Sequence, residues 1–274
     1  MATLGAAAAL AMSGAAYAAD MIGNCEMTGT KGSMPVTPAI PGQVTVQVAL
    51  PAPGWYNGDT PDTIRDGYEY CMAAIMAYRA GIDKLVVQNV TWDSLIAGQT
   101  HDFDFALSEA SITEPRKKVV DFSVPYFSSD IGVLVKKGTA IDGDSIKGMR
   151  IGVHQGTTGA DFATGTLKPK EVKTYPDVPG MFTALQAGQI DVALTDTAYV
   201  LGQAAQSHGM QEVVGQYSTG ENYGAVYPKG GANNAAWDKI IQSMIDDGTL
   251  KQLASKYLAA VWGADPTKIP YWKP

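Results

Sequence analysis

The residues best placed to do chemistry follow apolar runs of strand type. Phe103–Leu107 is one such run, and Ser108-Glu109-Ala110-Ser111-Ile112-Thr113-Glu114-Pro115-Arg116 follows it directly. Polar groups that begin where a strand ends are positioned to meet a ligand, because open α/β sheets bind outside the carboxyl ends of their strands. Arg116 offers a planar fork matched to a carboxylate, and Ser111 offers a hydroxyl and a backbone N–H. Arg116 also reads as a surface charge in the basic run Arg116-Lys117-Lys118. The stretch Ile151-Gly152-Val153-His154-Gln155-Gly156-Thr157-Thr158-Gly159 has the order strand, tight turn, helix start. Free N–H groups at a helix start favour an anion, and the Thr157 and Thr158 hydroxyls add donors. No Lys follows at nucleotide-loop spacing, and an ordinary Thr helix cap is the alternative. Asp191-Val192-Ala193-Leu194-Thr195-Asp196 ends a strand in an acid that can meet a cation or cap a helix. Trp55, Tyr56 and Trp92 follow strand ends and can wall a small ligand; packing under the turn Pro51-Ala52-Pro53-Gly54 is the other reading of Trp55 and Tyr56.

Together these groups describe a receptor for a zwitterion. Arg116 and the Thr157–Thr158 turn would hold an α-carboxylate, and Asp196 an α-ammonium. The three His, at 101, 154 and 208, form no nucleophile–base pair with a neighbour, and metal-ligand spacing is absent, so no catalytic residue, metal or cofactor is expected.

Two α/β units must position these groups. Val44–Leu50, Lys84–Val90, Phe103–Leu107 and Ile131–Val135 read as strands, and Gly67–Gly81 has helical spacing, giving a first parallel sheet with crossover helices. The pattern restarts with strands at Arg150–Val153, Glu171–Thr174, Asp191–Leu194 and Gln211–Val214, with helices from Thr158 and over Val178–Ala187 and Thr197–Ser207. Lys136-Lys137-Gly138 reads as the linker between the units, and Tyr223–Tyr227 as the strand that returns. The helices Ala232–Asp247 and Leu250–Leu258 close the chain on the first sheet. The expected division is a signal peptide at 1–18, an extended arm at 19–43, lobe 1 at 44–137 plus 226–274, and lobe 2 at 138–225. A ligand cleft lies between the lobes, with a hinge at two crossings.

Composition removes several function classes. The 274 residues carry 20 Lys plus Arg against 27 Asp plus Glu, a net charge of −7, so the basic footprint of a nucleic-acid binder is missing. A hydrophobic fraction of 46% excludes wholesale disorder. Two Cys exclude zinc-finger, iron–sulfur and disulfide-framework classes. Residues 1–19 are uncharged and mostly Ala and Gly, and Ala16-Tyr17-Ala18 is a small-x-small pattern that a signal peptidase would cut, although no Lys or Arg precedes it. A membrane anchor is the alternative, disfavoured by its length and its weakly apolar residues. Export into an oxidising compartment lets Cys25 and Cys71 read as one disulfide pinning the arm to the helix, or as two separate thiols; Asn24 is too large for a lipid-anchor signal at Cys25.

Five stretches carry a resemblance. Ser111-Ile112-Thr113-Glu114-Pro115-Arg116, Val120-Asp121-Phe122-Ser123-x-Pro125-Tyr126, Ile151-Gly152-Val153-x-x-Gly156-Thr157-Thr158, Ala184-Leu185-x-x-Gly188-x-x-Asp191 and Asp247-Gly248-Thr249-Leu250 are ordered and spaced as in solute-binding protein family 3. The chain resembles the periplasmic amino-acid-binding proteins of ABC importers in that family, from about Val44 to Leu258. The resemblance implies a two-lobed type II periplasmic-binding-protein fold in a secreted monomer that delivers an amino acid to a membrane permease. It implies that Arg116 binds the α-carboxylate with help from Ser111 and Thr158, that Asp196 binds the α-amino group, and that Trp92 walls the side chain. Glu109 departs from the family's small residue and leans toward a polar or basic ligand, and Trp55-Tyr56 departs from the usual Pro-Pro-Phe run. The fold also hosts cyclohexadienyl dehydratases, for which Glu109 or Glu221 would be the candidate acid, and a sensor component with a separate partner is a further alternative.

Overall fold

The computed structural model describes residues 21–274, so the expected signal peptide lies outside the described residues. In chain order the strands are β1 (Met21–Ile22), β2 (Cys25–Glu26), β3 (Val44–Val48), β4 (Leu85–Asn89), β5 (Phe105–Ala106), β6 (Asp121–Phe122), β7 (Phe127–Lys136), β8 (Arg150–His154), β9 (Glu171–Tyr175), β10 (Val192–Asp196), β11 (Gln211–Tyr223) and β12 (Val226–Tyr227). The helices that matter here are α1 (Tyr68–Ala80), α2 (Trp92–Ile96), α3 (Glu114–Lys117), α4 (Thr158–Asp161), α5 (Val178–Ala187), α6 (Thr197–Gln206), α7 (Asn234–Asp246) and α8 (Thr249–Ala254). None among the described residues is long and apolar enough to cross a membrane.

Two five-stranded sheets result, in the orders β4-β3-β5-β12-β6 and β11-β7-β10-β8-β9. They are the cores of two lobes. In the first, β3 pairs parallel with β4 and β5, and all five of its residues are buried. A central strand covered on both faces buries Thr45 and Gln47 as fully as its valines. Their side chains find partners there: Thr45 Oγ1 accepts from Gln43 Nε2 at 3.2 Å, and Gln47 Nε2 donates to Gln88 Oε1 at 3.0 Å, while Gln47 Oε1 finds none among the described residues. Helix α1 lies against this sheet with nearly every side chain buried and stops at Gly81, whose φ of 84° gives the left-handed cap that closes the last turn. The arm is fastened to α1 by a Cys25–Cys71 disulfide, with Cα atoms 5.4 Å apart.

The lobe boundaries differ from the expected ones. Strand β7, expected in lobe 1 up to residue 137, pairs antiparallel with β10 and β11 in the second sheet. The chain leaves lobe 1 near Ser123–Tyr126, and Lys136-Lys137-Gly138 is a turn at the far end of lobe 2. Polar residues mark turns, and here the boundary is a strand-to-strand passage without a composition break. Strand β11 is longer than expected, running to Tyr223 through register irregularities at Val213/Gly215 and Tyr217/Glu221 that hide its alternation. The return crossing at Gly224–Ala225 lies beside the first: the Ser123 N–H donates to Ala225 O at 3.0 Å, and the Tyr126 N–H to Tyr223 O at 3.0 Å. Gly224 is required there, since a Cβ would meet Ile112 Cγ1 at 2.9 Å.

The chain also crosses a third time. After α7 and α8 pack on lobe 1, the tail expected in lobe 1 returns to lobe 2. The Gln216 N–H donates to Pro270 O and the Trp272 N–H to Gln216 O, at 3.0 and 2.8 Å. The Trp272 ring lies on Gly215, where a Cβ would come within 2.4 Å of the indole.

Candidate ligand cleft

A cavity of about 460 Å³ lies between the lobes. Trp92, Glu109, Ser111 and Arg116 line it from lobe 1, and Thr157, Thr158, Asp196 and Tyr199 from lobe 2. Seven of the nine expected binding residues therefore share one space. Trp55 and Tyr56 do not line it. Trp55 is buried in lobe 1 with its ring edge-on to Tyr68 and Phe127, at 5.2 and 5.0 Å between centroids, and Tyr56 donates its hydroxyl to Leu107 O at 3.1 Å. Their expected role as ligand walls is corrected: the turn at Pro51–Gly54 folds them back into the core, where aromatic area is best buried.

Local sequence explains how Arg116 reaches the cleft. Thr113 caps the one-turn helix α3 through its side chain, and proline stands in the first turn, where a missing N–H costs nothing. Arg116 then faces inward, 8% exposed. Its Nη1 donates to Ser111 O at 2.7 Å, its Nη2 donates across the cleft to Gly156 O at 3.0 Å, and its guanidinium lies 4.9 Å from the Trp92 ring centre. Two of its five N–H groups are thus bonded to backbone, and the other three have no hydrogen-bond partner among the described residues. Burial pulls the guanidinium below its ordinary pKa, while Asp196, Glu221 and Asp161 act in the opposite direction.

Thr157 caps α4, accepting from the Ala160 N–H and donating to His154 O, so the ordinary-cap reading describes its hydroxyl. Thr158 and Ser111 both donate to Glu221 Oε2, at 2.6 and 2.7 Å. Glu221, on β11, therefore holds two hydroxyls expected to face the ligand. Asp196 ends β10 and precedes α6 without a side-chain bond to that helix, so it does not cap it. Its Oδ2 accepts from the Tyr223 hydroxyl. Burial, reinforced by Glu221, pushes the Asp196 carboxyl up to about 7.

Sequence reasoning missed Tyr199 and Glu69. Tyr199 stands one turn into α6 and donates its hydroxyl across the cleft to Pro51 O. Glu69 is fully buried behind the cleft floor; its signal was a lone acid in the otherwise apolar run Tyr68-Glu69-Tyr70-Cys71-Met72. Besides Tyr199–Pro51, the lobes are joined by Arg116–Gly156, Ser111–Glu221 and Gln155–Asp93 across the cleft and by the Ile112 N–H donating to Asn222 O at 2.8 Å. Among the described residues, no group of three His, Cys, Asp or Glu is arranged to hold a metal ion.

The sequence profile described as bacterial extracellular solute-binding proteins, family 3, matches residues 46–260. The chain belongs to that family. Among family-3 relatives, the L-cystine-binding protein TcyJ of Escherichia coli (strain K12) is 31% identical over 218 residues, covering 78% of this chain and 79% of its own. An ancestral arginine-binding protein bound to arginine superposes with a TM-score of 0.70 at 28% identity, covering 79% of this chain and 98% of its own. The ancestral amino acid-binding protein AncCDT-1, a precursor of cyclohexadienyl dehydratase, superposes with a TM-score of 0.68 at 28% identity, covering 79% and 95%. These likenesses and the two sheets establish the expected two-lobed type II fold of the solute-binding family.

Proposed function

We propose that this family-3 protein is a periplasmic receptor that closes on an α-amino acid and delivers it to the permease of an ABC importer, without catalysing a reaction. The observation that carries this reading is the placement of Arg116 and Asp196, from opposite lobes, on one cavity. The guanidinium keeps three free donors for an α-carboxylate, and Asp196 is an acceptor for an α-ammonium. Ligand docks first on the Arg116 lobe, and closure brings Asp196, so contacts made only in the closed form shift the population toward it. The named relatives bind L-cystine and arginine, which supports an amino acid as cargo. The Cys25–Cys71 disulfide supports an oxidising compartment.

A thermal-shift screen of the twenty amino acids tests the reading, because a bound ligand raises the melting temperature by mass action. Hydrogen bonds to charged groups contribute about 1.5–3 kcal/mol each. Arg116→Ala is therefore expected to weaken binding of the best ligand by about tenfold to a hundredfold. Unchanged affinity by calorimetry would contradict the assignment. Conversion of prephenate or arogenate by the purified protein would favour the dehydratase reading instead.

A further inference from the structure

Glu109 lines the cleft with a buried carboxyl oxygen that has no hydrogen-bond partner among the described residues. It follows β5 in a left-handed conformation, with φ of 49°, which non-glycine residues adopt only when their surroundings impose it. Glu69 does so here: its Oε1 accepts the Glu109 N–H at 3.0 Å, while the Tyr126 hydroxyl holds Glu69 from behind. The arrangement turns the Glu109 side chain to the cavity, where it is 8% exposed. Glu109 Oε1 is buried and finds no hydrogen-bond partner among the described residues.

The four tyrosine hydroxyls around it are already bonded elsewhere. Tyr56 donates to Leu107 O, Tyr126 to Glu69, Tyr199 to Pro51 O and Tyr223 to Asp196. An α-amino acid would match its carboxylate to Arg116 and its ammonium to Asp196. Glu109 is then left without a counterpart, and a buried carboxyl ionises favourably only where a cation stands beside it.

We infer that Glu109 selects the solute by charge, and that the cleft takes an amino acid bearing a second cationic nitrogen and a single carboxylate. This rests on the reading of the cleft as an amino-acid receptor. A second carboxylate would face Glu109, Asp196 and Glu221 with only Arg116 to answer it.

The electrostatics of the empty cleft agree. Burial first, then Glu69 and Asp196, push the Glu109 carboxyl well above the usual range, the direction expected of an acid that lacks a cation beside it. Four tyrosines, Tyr56, Tyr126, Tyr199 and Tyr223, also face it, each pushed up by burial and therefore neutral. An arriving cation favours the ionised form and pulls the carboxyl back down, so its binding is coupled to proton release.

L-Arginine and L-citrulline have the same shape, and citrulline replaces the guanidinium with a neutral ureido group. Calorimetry with both, and with L-cystine, on the wild type and on Glu109→Gln is the test. The wild type should prefer arginine to citrulline by about tenfold to a hundredfold. It should release more protons with arginine than with citrulline, seen as a heat that depends on buffer, and Glu109→Gln should shrink both that difference and the arginine-to-citrulline affinity ratio. Equal wild-type affinities, a preference for cystine, or a ratio that survives in the variant would overturn the inference. Tight, Arg116-dependent binding of a neutral amino acid would overturn the charge selection while retaining the amino-acid receptor. Binding of no amino acid at all would sink both.

Discussion

Removing the Cys25–Cys71 bridge is expected to destabilise the protein strongly without touching the cleft. The bridge joins residues 46 apart in sequence. In the chain-entropy account, cross-linking a loop of that length lowers the freedom of the unfolded chain by an amount worth about 4 kcal/mol at 25 °C. For a chain of this size each kcal/mol moves the melting temperature by about 2–4 °C, so the loss is about 8–16 °C. Some of the arm's attachment survives, because the Asn24, Gly32 and Met34 N–H groups donate to Arg65, Tyr78 and Arg79 carbonyls. Those bonds exist in both forms and do not reduce the entropic difference. The assay is urea unfolding followed by circular dichroism, comparing oxidised protein, reduced protein and Cys25→Ala/Cys71→Ala. Neither cysteine lines the cavity, so ligand affinity should be retained. Oxidised and reduced proteins unfolding within about 1 kcal/mol of each other would refute the entropic reasoning.

Two further outcomes follow from the buried acids. Asp196 and Glu69 are both held at about 7 by burial, against ordinary values near 4. Below those ordinary values both states are protonated and this contribution to stability is complete. As pH rises toward about 7 the unfolded chain has released protons that the folded chain keeps, so stability is lost across that window. The unliganded protein should therefore melt lower at about pH 8 than at about pH 5, and Asp196→Asn should flatten the profile; a wild-type profile flat across that range would contradict the burial argument. Glu221→Gln keeps an acceptor for Ser111 and Thr158 but removes its charge, weakening each bond by about 1 kcal/mol and removing the repulsion that raises Asp196. Small-angle scattering should show an increased radius of gyration for the unliganded variant, and an unchanged radius would show that Glu221 does not hold the lobes together.

Strand-end logic made much of the cleft legible in the sequence. Ser111, Arg116, Thr157, Thr158 and Asp196 all follow apolar runs, and the sheets place those ends on the cavity. The same logic misplaced Trp55 and Tyr56, because an aromatic after a strand can turn to the cleft or to the core. Their direction depends on the turn at Pro51–Gly54 and on partners as distant as Phe127 and Tyr223. Lobe boundaries were less legible still. The chain passes between lobes inside stretches as apolar as the strands themselves, and the third passage depends on Trp272 meeting Gly215, a contact no local pattern announces. Glu69 escaped notice because helical periodicity registers apolar positions and is silent about one acid among them.

The two ends of the folded body ride on different halves. The arm is bolted to α1 through Cys25, and the tail is moored to β11 at Trp272. A pair of dyes, one on the arm and one beside Trp272, would straddle the gap like gauges on opposite jaws of a vice. Their separation would report the grip on cargo directly, with no label near the cargo itself.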